Sequence, residues 1–152
     1  MVDNASGRKP MIDNPHRTTD DLQPVPVTAG ILVRDERILI CQRHRSDPYG
    51  LQWEFPGGKV GSGETREQAL RRELDEELAI QAEIGPEVYR VRHRYPDRYV
   101  EVVFFRVDSF GSEPRNRVFE AIAWARRNEL GAYRFLDADR ELVQRIARGE
   151  II

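Results

Sequence analysis

The stretch Gly58-Lys-Val-Gly-Ser-Gly-Glu64-Thr65-Arg-Glu-Gln68-Ala-Leu70-Arg-Arg72-Glu73-Leu74-Asp-Glu76-Glu77-Leu78-Ala79-Ile80 is the most informative in the chain. Thr65, followed three residues later by Gln68, forms a capping box and so starts a helix. Ala69, Leu70, Leu74 and Leu78 recur at helical spacing through Ala79, which gives this helix one apolar face. Glu73, Glu76 and Glu77 stand at i+3 and i+4 from one another, so their carboxylates share a face beside the leucines. Each like-charge pair at this spacing costs a few tenths of a kcal/mol, and more where packing excludes water. A hard divalent cation removes that repulsion: carboxylate oxygens are the ligands Mg²⁺ takes, and Mg²⁺ keeps positions for phosphate oxygens and water. The alternative is a solvated acidic face paired with Arg66, Arg71 and Arg72. The frame favours the cation, because the preceding glycines let the backbone approach a ligand and Arg72 can hold Glu76 in one rotamer.

Outward from this helix, strand patterning dominates. Before it, Val27 to Val33 and Ile38 to Arg43 are β-branched runs around the polar turn Arg-Asp-Glu-Arg, a hairpin. A turn-rich Ser-Asp-Pro-Tyr-Gly loop then leads into Leu51-Gln-Trp53-Glu54-Phe55-Pro-Gly57-Gly58. After the helix, strands are expected from Val88 onward, most clearly over Tyr99 to Val107, and again over Ala121 to Ala125. Asp137 to Gly149 has an acidic start, a basic last turn and a glycine stop, the pattern of an amphipathic closing helix. The implied class is α/β, of the α+β type, with a partly antiparallel mixed sheet. Trp53, Phe55, Phe104, Phe105 and Trp124 fit core or pocket wall, and Cys41 a small buried apolar position.

Composition excludes several functions. At 152 residues the chain is one domain, and its 24 basic against 26 acidic residues leave a formal charge of −2. That balance argues against a domain held on duplex nucleic acid by phosphate contacts. Lys9 and Lys59 are the only lysines; the other basic residues are arginine. A single cysteine permits no internal disulfide and no cysteine-based zinc site, and His16, His44 and His93 have no metal-ligand spacing. With no apolar run of membrane-spanning length, a cytoplasmic protein without membrane contact is expected. Residues 1–24 are polar and proline-bearing, so a disordered leader is expected there, with the folded domain over 25–152.

Gly58 to Ile80 resembles the Nudix box, G-x5-E-x7-R-E-U-x-E-E-x-G-U with U aliphatic, at Gly58, Glu64, Arg72, Glu73, Leu74, Glu76, Glu77 and Ile80. It departs from the box only at Ala79, where the family has a glycine at the helix exit, so a strained or altered exit is expected. Ile40-Cys-Gln-Arg43, Trp53 to Lys59 and Tyr95-Pro-Asp-Arg98 extend the likeness to the MutT branch, over roughly Val27 to Ala147. The resemblance implies an α/β/α sandwich around a mixed sheet. It also implies Mg²⁺-dependent cleavage of nucleoside triphosphates to monophosphate and pyrophosphate, Mn²⁺ substituting, in nucleotide-pool sanitation and DNA repair. A small nucleotide is then the substrate, without stable nucleic-acid binding, for a monomer or homodimer.

Carried over by position, Glu73, Glu76 and Glu77 are the catalytic set. Glu76 and Glu77 become metal ligands with the Gly57 carbonyl, and Glu73 a further ligand or the base for the attacking water. Glu120 is a candidate ligand from a later loop or a plain surface glutamate. Glu64 braces the helix through Arg72 or touches metal. Arg43 and Lys59 suit phosphates, and Arg98 the base or sugar. Asp139 stands where 8-oxoguanine-selective relatives have Asn. An ionised carboxylate only accepts hydrogen bonds, which leaves guanine, cytosine (as CTP or methylated dCTP) or an early-turn helix residue open. Other nucleoside-diphosphate-linked substrates and a non-catalytic Nudix-like lesion-binding module are the remaining alternatives, though such modules have usually lost the acidic set.

Overall fold

The hairpin expected near the start is present as β1 (Val25–Arg34) and β2 (Arg37–Gln42), with Val33 opposite Ile38. The chain turns through Asp35 (φ 53°) and Glu36 (φ 63°), the pair of left-handed residues that a tight type I′ hairpin requires. The structure, a computed structural model, describes residues 23–152, so the expected leader lies almost entirely outside the described residues.

β1 is the centre of a mixed seven-stranded sheet. Along Val25 to Leu32 it pairs in parallel with β6 (Arg98–Val107), which continues antiparallel into β5 (Glu87–Tyr95). On its other side β1 bonds first to β4 (Gly57–Lys59) and then to β2, which carries β3 (Trp53–Glu54) and β7 (Ala121–Arg126). β3 and β4 are too short for any periodicity to announce them. β4 reaches β1 because Gly57 has no side chain: a Cβ there would stand 2.0 Å from the Thr28 carbonyl oxygen.

Period-two alternation sorts the strand residues onto two faces. Ala29, Ile31, Ile38, Ile40, Val102 and Phe104 pack with Leu142 and Ile146 of α2 (Arg140–Ala147) on one face. Leu32, Leu39, Val103, Phe105 and Val107 pack with Leu70, Leu74 and Leu78 of α1 (Arg66–Leu78) on the other. The result is the α/β/α sandwich. Phe55, Phe104, Phe105 and Cys41 are buried as expected, with Trp53 and Trp124 partly buried against the two cores. The closing helix is preceded by a 3₁₀ turn over Asp137–Asp139, and a second 3₁₀ segment, Arg127–Ala132, follows β7. Among the described residues no helix is long and apolar enough to cross a membrane.

Both ends of α1 are fastened. Thr65 Oγ1 accepts from the Gln68 N–H at 3.0 Å and Gln68 Oε1 accepts from the Thr65 N–H at 2.9 Å, the capping box read from sequence. At the other end Ala79 adopts φ 58°, ψ 39°, the left-handed conformation the family fills with glycine. The N–H groups of Arg115 and Arg117, in the loop between β6 and β7, bond the Leu78 and Glu77 carbonyls at 2.8 and 3.0 Å. Two backbone acceptors that the helix leaves open are thereby satisfied.

Candidate active site

Beside β1 and β4 lies a cavity of about 490 Å³. Its lining brings together Gly57, Lys59, Glu73, Glu76 and Glu77 with Arg43, Arg98 and Asp139, and leaves out Glu64 and Glu120. Val25, Val27, Val100 and Val102 supply an apolar wall, and Tyr95, Leu136 and Ala138 lie near Asp139 in the same lining.

The acidic cluster rests on the glycine pair. A Cβ on Gly58 would stand 2.5 Å from the Glu73 carboxyl carbon, so only glycine lets that carboxylate lie against the backbone. The Gly57 N–H donates to Glu77 Oε1 at 3.2 Å. Desolvation, then the charges of Glu73 and Glu54, push the Glu77 carboxyl up to about 9, and Glu73 shares a hydrogen bond with it. Glu73 is itself raised, chiefly by desolvation, against the downward pull of Arg72. Burial and mutual repulsion thus raise the proton affinity of this pair of carboxylates.

Arg72 organises this end. Its guanidinium binds both oxygens of Glu64, at 2.7 and 2.9 Å, and also reaches Glu73 at 3.0 Å and Glu76 at 3.3 Å. It further donates to the Lys59 carbonyl at 3.2 Å, tying β4 to the helix. Arg72, with the Gly61 N–H, draws the Glu64 carboxyl down to about 2. Of the two roles open for Glu64, this is the bracing one.

The donor set fits a hard divalent cation, since carboxylate oxygens and a backbone carbonyl are what Mg²⁺ takes. Among the described residues no three acidic, histidine or cysteine side chains stand in a ligating cage. Glu73 and Glu76 each give one oxygen to Arg72, and Glu77 gives one to the Gly57 N–H.

Further along the cavity, Arg43 donates from Nε to the Pro48 carbonyl at 2.8 Å and from Nη1 to Glu54 at 3.1 Å. The Arg98 guanidinium lies 5.1 Å from the Tyr95 ring and 5.5 Å from the Tyr49 ring, and its buried Nε has no partner. Asp139 is 6% exposed. It occupies the N-cap position of α2 but makes no capping bond, so its carboxyl belongs to the cavity more than to the helix. Burial pushes that carboxyl well up, Glu54 adding to the rise and Arg43 opposing it.

Glu120 stands apart from the others. Its carboxylate is held by Arg45 at 2.7 Å and it is absent from the cavity lining. Conversely, Glu54 lines the cavity without having been singled out. It is raised by desolvation and felt by both Glu77 and Asp139, which makes it the electrostatic link along the cavity. A carboxylate set between Trp53 and Phe55 was the available signal, since a charge flanked by two aromatics must find a partner indoors.

A sandwich whose glutamate-bearing helix packs its carboxylates against a glycine pair is the architecture of a Nudix hydrolase. Residues 24–146 match the NUDIX domain, and the chain belongs to that family. Over 129 residues it is 37% identical to the 8-oxo-dGTP diphosphatase of Haemophilus influenzae, covering 83% of this chain and 93% of that one. Over 124 residues it is 36% identical to the CTP pyrophosphohydrolase of Escherichia coli, covering 81% and 91% respectively. The solved MutT Nudix hydrolase from Burkholderia pseudomallei matches with a TM-score of 0.74 at 30% identity, over 81% of this chain and 98% of that one.

Proposed function

We propose that this Nudix hydrolase cleaves nucleoside triphosphates to nucleoside monophosphate and pyrophosphate, by water attack on a phosphorus, in a Mg²⁺-dependent reaction. The observation that carries the reading is one cavity in which three glutamates on one helix face meet Lys59 and Arg43, with a buried polar residue, Asp139, in the same lining.

Mg²⁺ held by Glu73, Glu76, Glu77 and the Gly57 carbonyl would neutralise phosphate charge and acidify a bound water. Lys59 and Arg43 bind phosphate oxygens. Arg72 keeps Glu73 and Glu76 in place through its fork on Glu64. Glu73 either completes that ligand set or, left off the cation, takes the proton of the attacking water. Glu120 joins the ligands only by giving up Arg45. Arg98 and Asp139 contact the nucleoside, and the valine wall keeps solvent from it.

Burial supports reading Asp139 as a neutral acid, which both donates and accepts as an asparagine amide does. On that ground an oxidised guanine nucleotide such as 8-oxo-dGTP is the preferred substrate, and the role is nucleotide-pool sanitation. CTP or a methylated dCTP is the second reading, favoured if the carboxyl is ionised and accepts an exocyclic amine.

The test is a panel of unmodified, 8-oxo and methylated nucleoside triphosphates with Mg²⁺, following pyrophosphate and orthophosphate separately, with Glu76→Gln as control. Pyrophosphate release that disappears in Glu76→Gln is expected. Absence of turnover on every triphosphate overturns the substrate class, and full activity in Glu76→Gln overturns the ligand assignment.

A further inference from the structure

The loop between β2 and β3 is closed on itself and fastened on two sides. Its ends meet through the Arg43 N–H on the Gln52 carbonyl at 2.9 Å and the Leu51 N–H on the Arg43 carbonyl at 3.0 Å. Towards the loop before β7, Arg45 binds Glu120 with its guanidinium at 2.7 Å and its backbone N–H at 3.3 Å. Towards the β5–β6 turn, the Tyr49 hydroxyl donates to Asp97 Oδ1 at 2.8 Å, and the Tyr49 ring lies 5.0 Å from that of Tyr95. Tyr49 (φ 58°) and Leu51 (φ 68°) are both left-handed, a conformation that side-chain-bearing residues keep only where the surroundings enforce it. A Cβ on Gly50, between them, would stand 2.7 Å from the Arg45 carbonyl oxygen, so the loop has no slack.

This loop carries Arg43 and Asp47 into the cavity, and the turn it is tied to carries Arg98. Tyr49 is not part of the cavity lining; its ring and the neighbouring Tyr95 ring form a pair against which the Arg98 guanidinium lies, 5.5 and 5.1 Å from the two centroids. We propose that Tyr49 is a positioning residue for substrate binding: its hydroxyl, bonded to Asp97, straps the β2–β3 loop to the β5–β6 turn and thereby fixes Arg43 and Arg98 for the nucleotide. The proposal rests on the nucleotide-hydrolase reading for its ligand. Strapping the loop beforehand lowers the ordering cost that binding would otherwise carry. It acts equally on ground state and transition state, so its signature is in KM and not in kcat.

The experiment is a double-mutant cycle on Tyr49→Phe and Asp97→Ala, read by steady-state kinetics on a nucleoside triphosphate and by calorimetric binding of a non-hydrolysable triphosphate analogue. Tyr49→Phe keeps the ring against Arg98, and Asp97 is exposed, so thermal melts close to wild type are expected. Each single variant should raise KM and the analogue Kd by about five- to tenfold with kcat within about twofold. The double variant should be no worse than either single, because both remove one bond, and Asp97→Asn, which keeps an acceptor oxygen, should restore most of the affinity. Unchanged KM and Kd in either single variant, or effects that multiply in the double, overturn the proposal. Wild-type protein that turns over no triphosphate counts against the functional reading alone, and the analogue Kd values then decide whether the strap exists.

Discussion

Arg72 grips Glu64 with two parallel hydrogen bonds, Nε to Oε2 at 2.7 Å and Nη2 to Oε1 at 2.9 Å, and has Nη1 left for Glu73 and Glu76. The planar fork makes this possible; a lysine ammonium cannot bind one carboxylate from two directions and still reach two others. Arg72→Lys therefore keeps the charge and loses the geometry. Its kcat should fall by on the order of ten- to a hundredfold, the usual consequence of misplacing catalytic groups, with far-UV circular dichroism unchanged. Wild-type kcat in Arg72→Lys would show that Glu73 and Glu76 are placed without the fork.

The raised carboxyl of Glu77 has a stated sign. Its ordinary value is 4.5 and its folded value about 9, so between these limits the metal-free folded protein holds a proton that the unfolded chain gives up. That contribution to stability is complete below about 4.5 and is lost as pH rises through about 9. A cation at the same carboxylates must displace the proton, so Mg²⁺ affinity should increase with pH and binding should release protons. Titration calorimetry in two buffers of different ionisation enthalpy measures this directly. Equal heats in both buffers at neutral pH would contradict it.

Asp139→Asn fixes the donor-and-acceptor pattern at every pH, whereas the native carboxyl loses its donor when it ionises. In the wild type, the ratio of kcat/KM for 8-oxo-dGTP to that for CTP should fall as pH rises. Asp139→Asn should flatten that dependence and shift the ratio by about tenfold, on the scale of one well-formed contact to a base edge. Hydrolysis itself should persist. An identical ratio and pH profile in the variant would remove Asp139 from base recognition.

Ala79 keeps a left-handed conformation at φ 58° for which its Cβ is unsuited. Ala79→Gly relieves strain of about 1–2 kcal/mol and costs about 0.5–1 kcal/mol in unfolded-chain entropy. The net is a gain of between zero and about 1.5 kcal/mol, or at most roughly 3–6 °C in Tm for a domain of this size. A lower Tm in Ala79→Gly would mean that the alanine methyl packs better than its backbone suggests.

How legible all this was in the sequence depended on whether the determining contact is local. Thr65 and Gln68 announce the start of α1, the leucines announce its buried face, and the spacing of Glu73, Glu76 and Glu77 announces one acidic surface, because each follows from helical geometry alone. β4 was silent: its three residues form a strand only because Thr28 of β1 comes close to Gly57. Asp139 was ambiguous for the same kind of reason. Its place in the chain fits a helix cap, and only packing against the rest of the cavity buries its carboxyl and pushes it up. Glu54 and Glu120 reverse their prominence because their partners, Arg43 and Arg45, sit two residues apart on one loop whose path no local pattern encodes.

The parallel pairing of β1 with β6 has a consequence for synthesis. Val25 bonds beside Val100 and Leu32 beside Val107, so the central strand waits for partners that leave the ribosome only after both the hairpin and the acidic helix. Until then one long edge of β1, rich in valine, isoleucine and leucine, is open to any passing strand. The nascent chain is consequently most vulnerable to aggregation in the interval between emergence of α1 and emergence of β6, and chaperone demand during translation should peak there.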